Sequence, residues 1–255
     1  MSDALGIGAP WALAAMLATY FMGGIVKGGL GFGLPLVTLS LMPLFLPADL
    51  AIAVNAIVLP FINVVQIAQA GGPALALRRF WPLILTLVAT MPLGVALGRG
   101  IAPEALTLAL GLAVVAFTTF QWASPRLALP ARLERPLGAL TGAGAGVVGG
   151  LVGINGPFFL IYLVGLQVER QMLMAALGVF FFLTGVVLTA SFWVAGVIDA
   201  PRAGAALACL IPAMVGQALG NRLSRRLPVE AFRAVVLGGL MIVGLNITVR
   251  AALAL

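Results

Sequence analysis

The sequence predicts an all-α polytopic membrane protein of two inverted-topology repeats, with broken or re-entrant helices at a Gly-Pro element in each. Three observations predict this: an apolar composition, a repeat at fixed spacing, and the sidedness of the arginines. Of 255 residues, 62% are hydrophobic and 8% charged, with a mean hydropathy of +1.18. An ordinary soluble domain carries roughly 25% charged residues. A spanning helix takes about 20 apolar residues, so the length admits roughly seven to ten membrane segments and no separate soluble domain.

In chain order, apolar runs fall near 10–28, 30–46, 48–70, 80–98, 103–122, 137–152, 153–167, 171–195, 202–220 and 229–250. Met1-Ser2-Asp3 lacks the basic region of a cleavable signal, so the first run is expected to be retained as a span. The most polar connection, 124–136, holds Arg126, Arg132, Glu134 and Arg135 and reads as a cytoplasmic linker. It divides a first membrane repeat, 1–123, from a second, 137–255.

The division is supported by an internal repeat: Gly28, Gly31 and Pro35 recur as Gly150, Gly153 and Pro157, each 122 positions on. Gly94 and Gly98 recur at the same offset as Gly216 and Gly220. Each half holds five apolar segments, the first two meeting at the Gly-Pro element. Two crossings there, or two half-depth helices, make the segment count odd and invert the second half; one kinked helix would leave the halves parallel.

Arginines decide between these. In the odd arrangement Arg78, Arg79, Arg126, Arg132, Arg135, Arg170, Arg222, Arg225 and Arg226 share one side, and Arg99, Arg202 and Arg250 the other. The even arrangement gives seven against five. Cytoplasmic loops carry the excess of basic residues, so inversion is preferred, with both termini outside the cytoplasm.

Several function classes are excluded. The net charge of +7 is spread over loops, which points away from nucleic acid. One cysteine, Cys209, and no histidine rule out an internal disulfide, a Cys/His zinc site and histidine acid–base catalysis within one chain. No phosphate-binding loop and no nucleophile elbow occur, so no catalytic residue, metal or cofactor is expected.

Glycine and proline inside spans free backbone groups that lipid cannot satisfy, and they persist beside protein or a watery cavity. Broken helices expose N-terminal amides with partial positive charge, which suit an anion. The competing role for these glycines is close helix packing, assigned mainly to Gly94, Gly98, Gly216 and Gly220. Lys27 lies inside an apolar stretch, where an ammonium costs about 3 kcal/mol or more unless it finds water, a counter-ion or an interface. It is either a site residue or a snorkelling one; its repeat equivalent is Gly149. Asn55, Asn63, Gln66 and Asn155 are buried-amide candidates able to donate to oxyanion oxygens, although Asn63 and Gln66 would equally bond neighbouring helices.

At the paired glycine elements, "GGIVKGGLGFGLPLVTLSLMPLFLPADLAIAVNAI" (23–57) and "GVVGGLVGINGPFFLIYLVGL" (146–166), the chain resembles the sulfite exporter TauE/SafE family, also called the 4-toluene sulfonate uptake permeases. The resemblance implies a bacterial inner-membrane, multi-pass carrier of sulfite, organosulfonates or related sulfur oxyanions. The expected substrate-binding set is Lys27, Gly28, Gly29, Gly31, Gly33, Asn55, Asn63, Gln66, Gly150, Gly153, Asn155 and Gly156, with Pro35 and Pro157 as helix breaks. The expected partners are a small anionic substrate and the lipid bilayer, with homo-oligomerisation left open. An anion channel, a non-transporting subunit that anchors a partner and a lipid-modifying enzyme stand as alternatives.

Overall fold

Eleven helices make up the described part of the computed structural model, which covers residues 10–123, 128–224 and 229–254. Asp3, Arg126, Arg225 and Arg226, used above, lie outside it. The first half comprises α1 (Pro10–Leu30), α2 (Leu34–Leu41), α3 (Ala48–Ala70), α4 (Pro73–Arg79), α5 (Trp81–Gly98) and α6 (Pro103–Ala123). The second comprises α7 (Glu134–Val152), α8 (Gly156–Gly165), α9 (Arg170–Val194), α10 (Ala200–Leu223) and α11 (Val229–Ala254). Seven helices are long and apolar enough to cross a bilayer: α1, α3, α5, α6, α9, α10 and α11.

The breaks fall where the repeat places them. Gly31 (φ +81°) and Gly153 (φ +75°) end α1 and α7 in the left-handed conformation that a side chain disfavours. Their N–H groups donate to the carbonyls of Lys27 and Gly149. Pro35 and Pro157 then occupy the first turns of α2 and α8, where a missing N–H costs nothing. The second and seventh segments therefore begin at 34 and 156, a few residues later than the apolar runs suggest. At 8 and 10 residues, α2 and α8 are each only about 12–15 Å long, short of the hydrocarbon thickness.

Neither break is a kink in one continuous helix. A side chain at Gly149 would meet Asn155, at Gly144 Phe158, and at Gly138 Tyr162, so α8 folds back along α7. Gly23 likewise faces Leu34 and Thr38 across the first break.

Helix pairing gives the relation between the halves. Gly24 packs on Ala213 and Gly28 on Gln217, so α1 runs parallel to α10. Gly142, Gly146 and Gly150 pack on Leu83, Leu87 and Met91, so α7 runs parallel to α5, the equivalent pair. The equivalent helices α3 and α9 run antiparallel, with Gly185 on Pro60 and Gly178 on Ile67. So do α6 and α11, with Gly111 on Thr248 and Gly244 on Val114. Corresponding helices crossing in opposite senses is the pattern expected of inverted repeats.

Two elements depart from the sequence reading. Gly71 and Gly72, both with positive φ, turn the chain into α4, too short to carry a periodicity signal. Arg79, the last residue of α4, pairs with Glu134 at 2.7 Å. That contact lies in the first turn of α7, which begins at Glu134 instead of 137; an acidic first turn suits the helix dipole, and Pro136 is tolerated there.

Gly94, Gly98, Gly216 and Gly220 sit at helix crossings, as assigned. A Cβ at Gly216 would collide with the Phe21 carbonyl, whereas one at Gly239 meets open space. Gly216→Val is therefore expected to cost about 1–3 kcal/mol by overpacking, read as a lower thermal midpoint in detergent, with Gly239→Ala unchanged. Equal midpoints would mean that α1 and α10 do not touch there.

Candidate functional site

α3 is the most enclosed span, with 72% of its apolar window buried. One face of it carries Ile52, Asn55, Leu59, Asn63 and Gln66 at helical spacing. Lys27, near the end of α1, reaches this face. Its ammonium, in a residue only 2% exposed, donates to Asn63 Oδ1 at 2.7 Å and Gln66 Oε1 at 2.6 Å. The Phe181 ring centroid lies 5.5 Å away. The amides are held in turn: Asn63 Nδ2 donates to the Leu59 carbonyl and Gln66 Nε2 to the Met174 carbonyl, at 2.8 and 3.0 Å. Asn63 and Gln66 therefore present oxygens to Lys27, the bonding to neighbouring helices that the sequence reading held open beside donation to an oxyanion.

The ion pairs among the described residues, Arg79–Glu134 and Arg202–Asp49, leave Lys27 without a carboxylate. A buried ammonium with neutral acceptors only is an electrostatic attractor for an anion. Snorkelling is ruled out by the geometry, since Lys27 points into the protein.

A cavity of about 760 Å³ has Lys27 on its wall. Its walls include Gln66, Gln69, Arg170, Gln217 and Arg222, together with Gly28, Gly29 and Gly31. A second cavity of about 400 Å³ lies at the other end of α3, beside Asp49, Arg99 and Arg202. The two are built on equivalent positions. Gly28, Gly29, Ala70, Arg170, Met174 and Gln217 line the first, and Gly150, Leu151, Phe192, Ala48, Ile52 and Val95 line the second, each pair 122 positions apart. Their chemistry differs, since the positions equivalent to Lys27, Gln66 and Gln217 are Gly149, Leu188 and Val95.

The expected site residues thus divide. Lys27, Gly28, Gly29, Gly31, Asn63 and Gln66 gather at the first cavity. Gly150 lines the second and also packs on Met91. Gly33 lies against Val26, and Gly153 against Leu39 and Ile52. Asn55 accepts from Thr38 at 3.1 Å, with its Nδ2 unpartnered. Asn155 donates to Thr184 at 2.8 Å, with its Oδ1 unpartnered, and Gly156 abuts Phe181.

Arg170, Met174, Asn221 and Arg222 line the cavity without having been expected there, the two arginines having been read for topology alone. The offset of 122 would have pointed to Arg170 and Met174 as partners of Ala48 and Ile52, once α3 and α9 were known to pair.

A family model for the sulfite exporter TauE/SafE family matches residues 16–247. The chain belongs to that family. TauE/SafE is a family of membrane transporters, which agrees with the multi-pass architecture. No curated protein and no solved structure matches the chain.

Because the cavities open at opposite ends of α3, cysteines placed in a Cys209→Ser background at Asn221 and at Arg99 should react with an impermeant thiol reagent from opposite faces of oriented vesicles. Reaction from the same face would contradict the helix directions described above.

Proposed function

We propose that this TauE/SafE member is a secondary carrier of small sulfur-containing oxyanions, sulfite or organosulfonates, working by alternating access between its two halves. The observation that carries the reading is the Lys27 ammonium, buried beside a cavity with two amide oxygens and, among the described residues, no carboxylate. An oxyanion arriving there supplies the missing counter-charge. Arg170 and Arg222 at the cavity walls raise the local anion concentration on the approach.

The arginine-rich end carries Arg78, Arg79, Arg132, Arg135, Arg170 and Arg222, so the larger cavity faces the cytoplasm of a bacterial inner membrane and both termini lie outside. The two membrane repeats, 1–123 and 137–255, are joined by the linker at 124–136. At the outer end Arg202 pairs with Asp49 at 2.8 Å and donates to the Val197 carbonyl, tying α3 of one half to the 195–202 turn of the other. That tie opposes opening of the smaller cavity.

Lys27→Gln keeps side-chain length and removes the charge. Loss of a charge-assisted bond of about 1.5–3 kcal/mol weakens binding roughly 10–100-fold, measurable by calorimetry on purified protein with sulfite and with an organosulfonate. Unchanged affinity, or stabilisation by cations instead of anions, would defeat the assignment. Saturable counterflow in proteoliposomes separates a carrier from a channel.

The outer tie has its own test. An exposed pair contributes up to about 1 kcal/mol, so Asp49→Asn should speed labelling of a cysteine at Gly98 from the outer face by up to roughly fivefold. The charge-exchanged variant Asp49→Arg with Arg202→Asp should restore the slow rate.

A further inference from the structure

One side chain reaches both Lys27, on the wall of the first cavity, and Gly156, at the second helix break. Phe181, on α9, is 2% exposed. The Lys27 ammonium lies 5.5 Å from its ring centroid, and its Cζ lies 3.3 Å from where a side chain at Gly156 would begin. The same ring meets Phe159 of α8 edge-on, with centroids 5.5 Å apart. Phe181 therefore touches both the lysine of the first break and the opening residue of the helix that follows the second.

Beyond it lies Asn155, the residue just before α8, whose side chain makes no capping bond; it is 1% exposed and its Oδ1 is unpartnered. Its amide nitrogen bonds Thr184, three residues after Phe181 and on the same face of α9. Thr184 can donate or accept, so the Asn155 amide can rotate by half a turn, keep this bond and offer N–H where Oδ1 now points.

We propose that Phe181 is the inner gate of the transport path: in this conformation its ring closes the lysine cavity off from the second helix break, and its displacement joins the two. The inference rests on the transport reading above and adds the element that separates the two breaks. The attraction between ring and ammonium holds the gate shut while Lys27 has no anion. An oxyanion that partners the ammonium weakens that hold, so release of the ring follows occupancy of the cavity. Because Phe159 belongs to α8, movement of the second hairpin carries the ring's other contact with it.

The test uses thiol accessibility. In full-length protein carrying Cys209→Ser, a cysteine replaces Asn155, and an impermeant methanethiosulfonate is applied from the arginine-rich face of oriented vesicles. With Phe181 present, Asn155→Cys should be protected. Phe181→Ala should raise its rate by about tenfold or more, and Phe181→Leu, which supplies the residue found at the equivalent position 59, should keep most of the protection. Gln69→Cys on the cavity wall should label alike in all backgrounds and reports an intact fold. If the alanine variant is not expressed, Phe181→Val carries the same comparison.

Equal rates at Asn155→Cys with and without Phe181, fast or slow, would overturn the gate. This readout needs no substrate, so a failure of anion binding at Lys27 would leave the contrast standing and be recognised separately.

Discussion

The ammonium of Lys27 is the contact around which the rest is organised. A lysine in hydrocarbon is stable only with partners, and here its acceptors lie three residues apart on the most enclosed span. Those acceptors cannot swing away, because the Leu59 and Met174 carbonyls hold their amide nitrogens. Met174 belongs to α9 and also lies against Gly31, the left-handed residue that ends α1. One charge therefore joins α1 and α3 of the first half to α9 of the second, and it does so at a helix break. The arrangement gives the three N–H donors of the ammonium two neutral acceptors and, among the described residues, no carboxylate; on the proposed reading that charge is what draws an anion into the cavity.

Holding broken helices inside a membrane requires that their freed backbone be enclosed by protein. The enclosure comes from two parallel pairs, α1 with α10 and α5 with α7, in which glycines let one backbone lie directly on another. Gly24 and Gly28 meet α10 while Gly216 and Gly220 meet α1, so the contact is mutual and has one register. The second pair adds Thr86 and Thr90, which donate to the Ala139 and Ala143 carbonyls of α7. Gly28 and Gly150 show that packing and site are not exclusive roles, since each is pressed against a neighbouring backbone and also borders a cavity.

Much of this was legible in the sequence because membrane constraints act locally. Span length, the Gly31 and Gly153 breaks and the prolines that restart the chain follow from hydrophobicity and backbone geometry, and the structure places each within a few residues of its expected position. α4 was not legible, because seven residues with a Gly-Gly lead-in carry too little periodicity to distinguish a helix from a loop. The roles of the amides were not legible either. Asn63 and Gln66 share a helical face, but whether they donate to a ligand or accept from a lysine depends on which helix stands opposite, and that is a property of the assembled pair. Arg170 and Arg222 were read only as topology signals, since loop charges give no indication that a cavity wall runs between them.

The two cavities share a scaffold and differ in chemistry, and the difference has a physical reason. A second lysine at position 149 would add another buried ammonium and would repel the first across a medium of low dielectric, raising the cost of both. In its place stands Gly149, against which the Asn155 amide packs, and a neutral amide needs no counter-charge. Duplication can thus supply a frame with two equivalent arrangements of its halves, while the buried lysine stands in one repeat only. On the proposed reading the anion always answers to the same ammonium, and what alternates is the wall around it: where the first cavity has Gln217 the second has the apolar Val95, and its charged residues, Asp49, Arg99 and Arg202, stand at the outer end of α3.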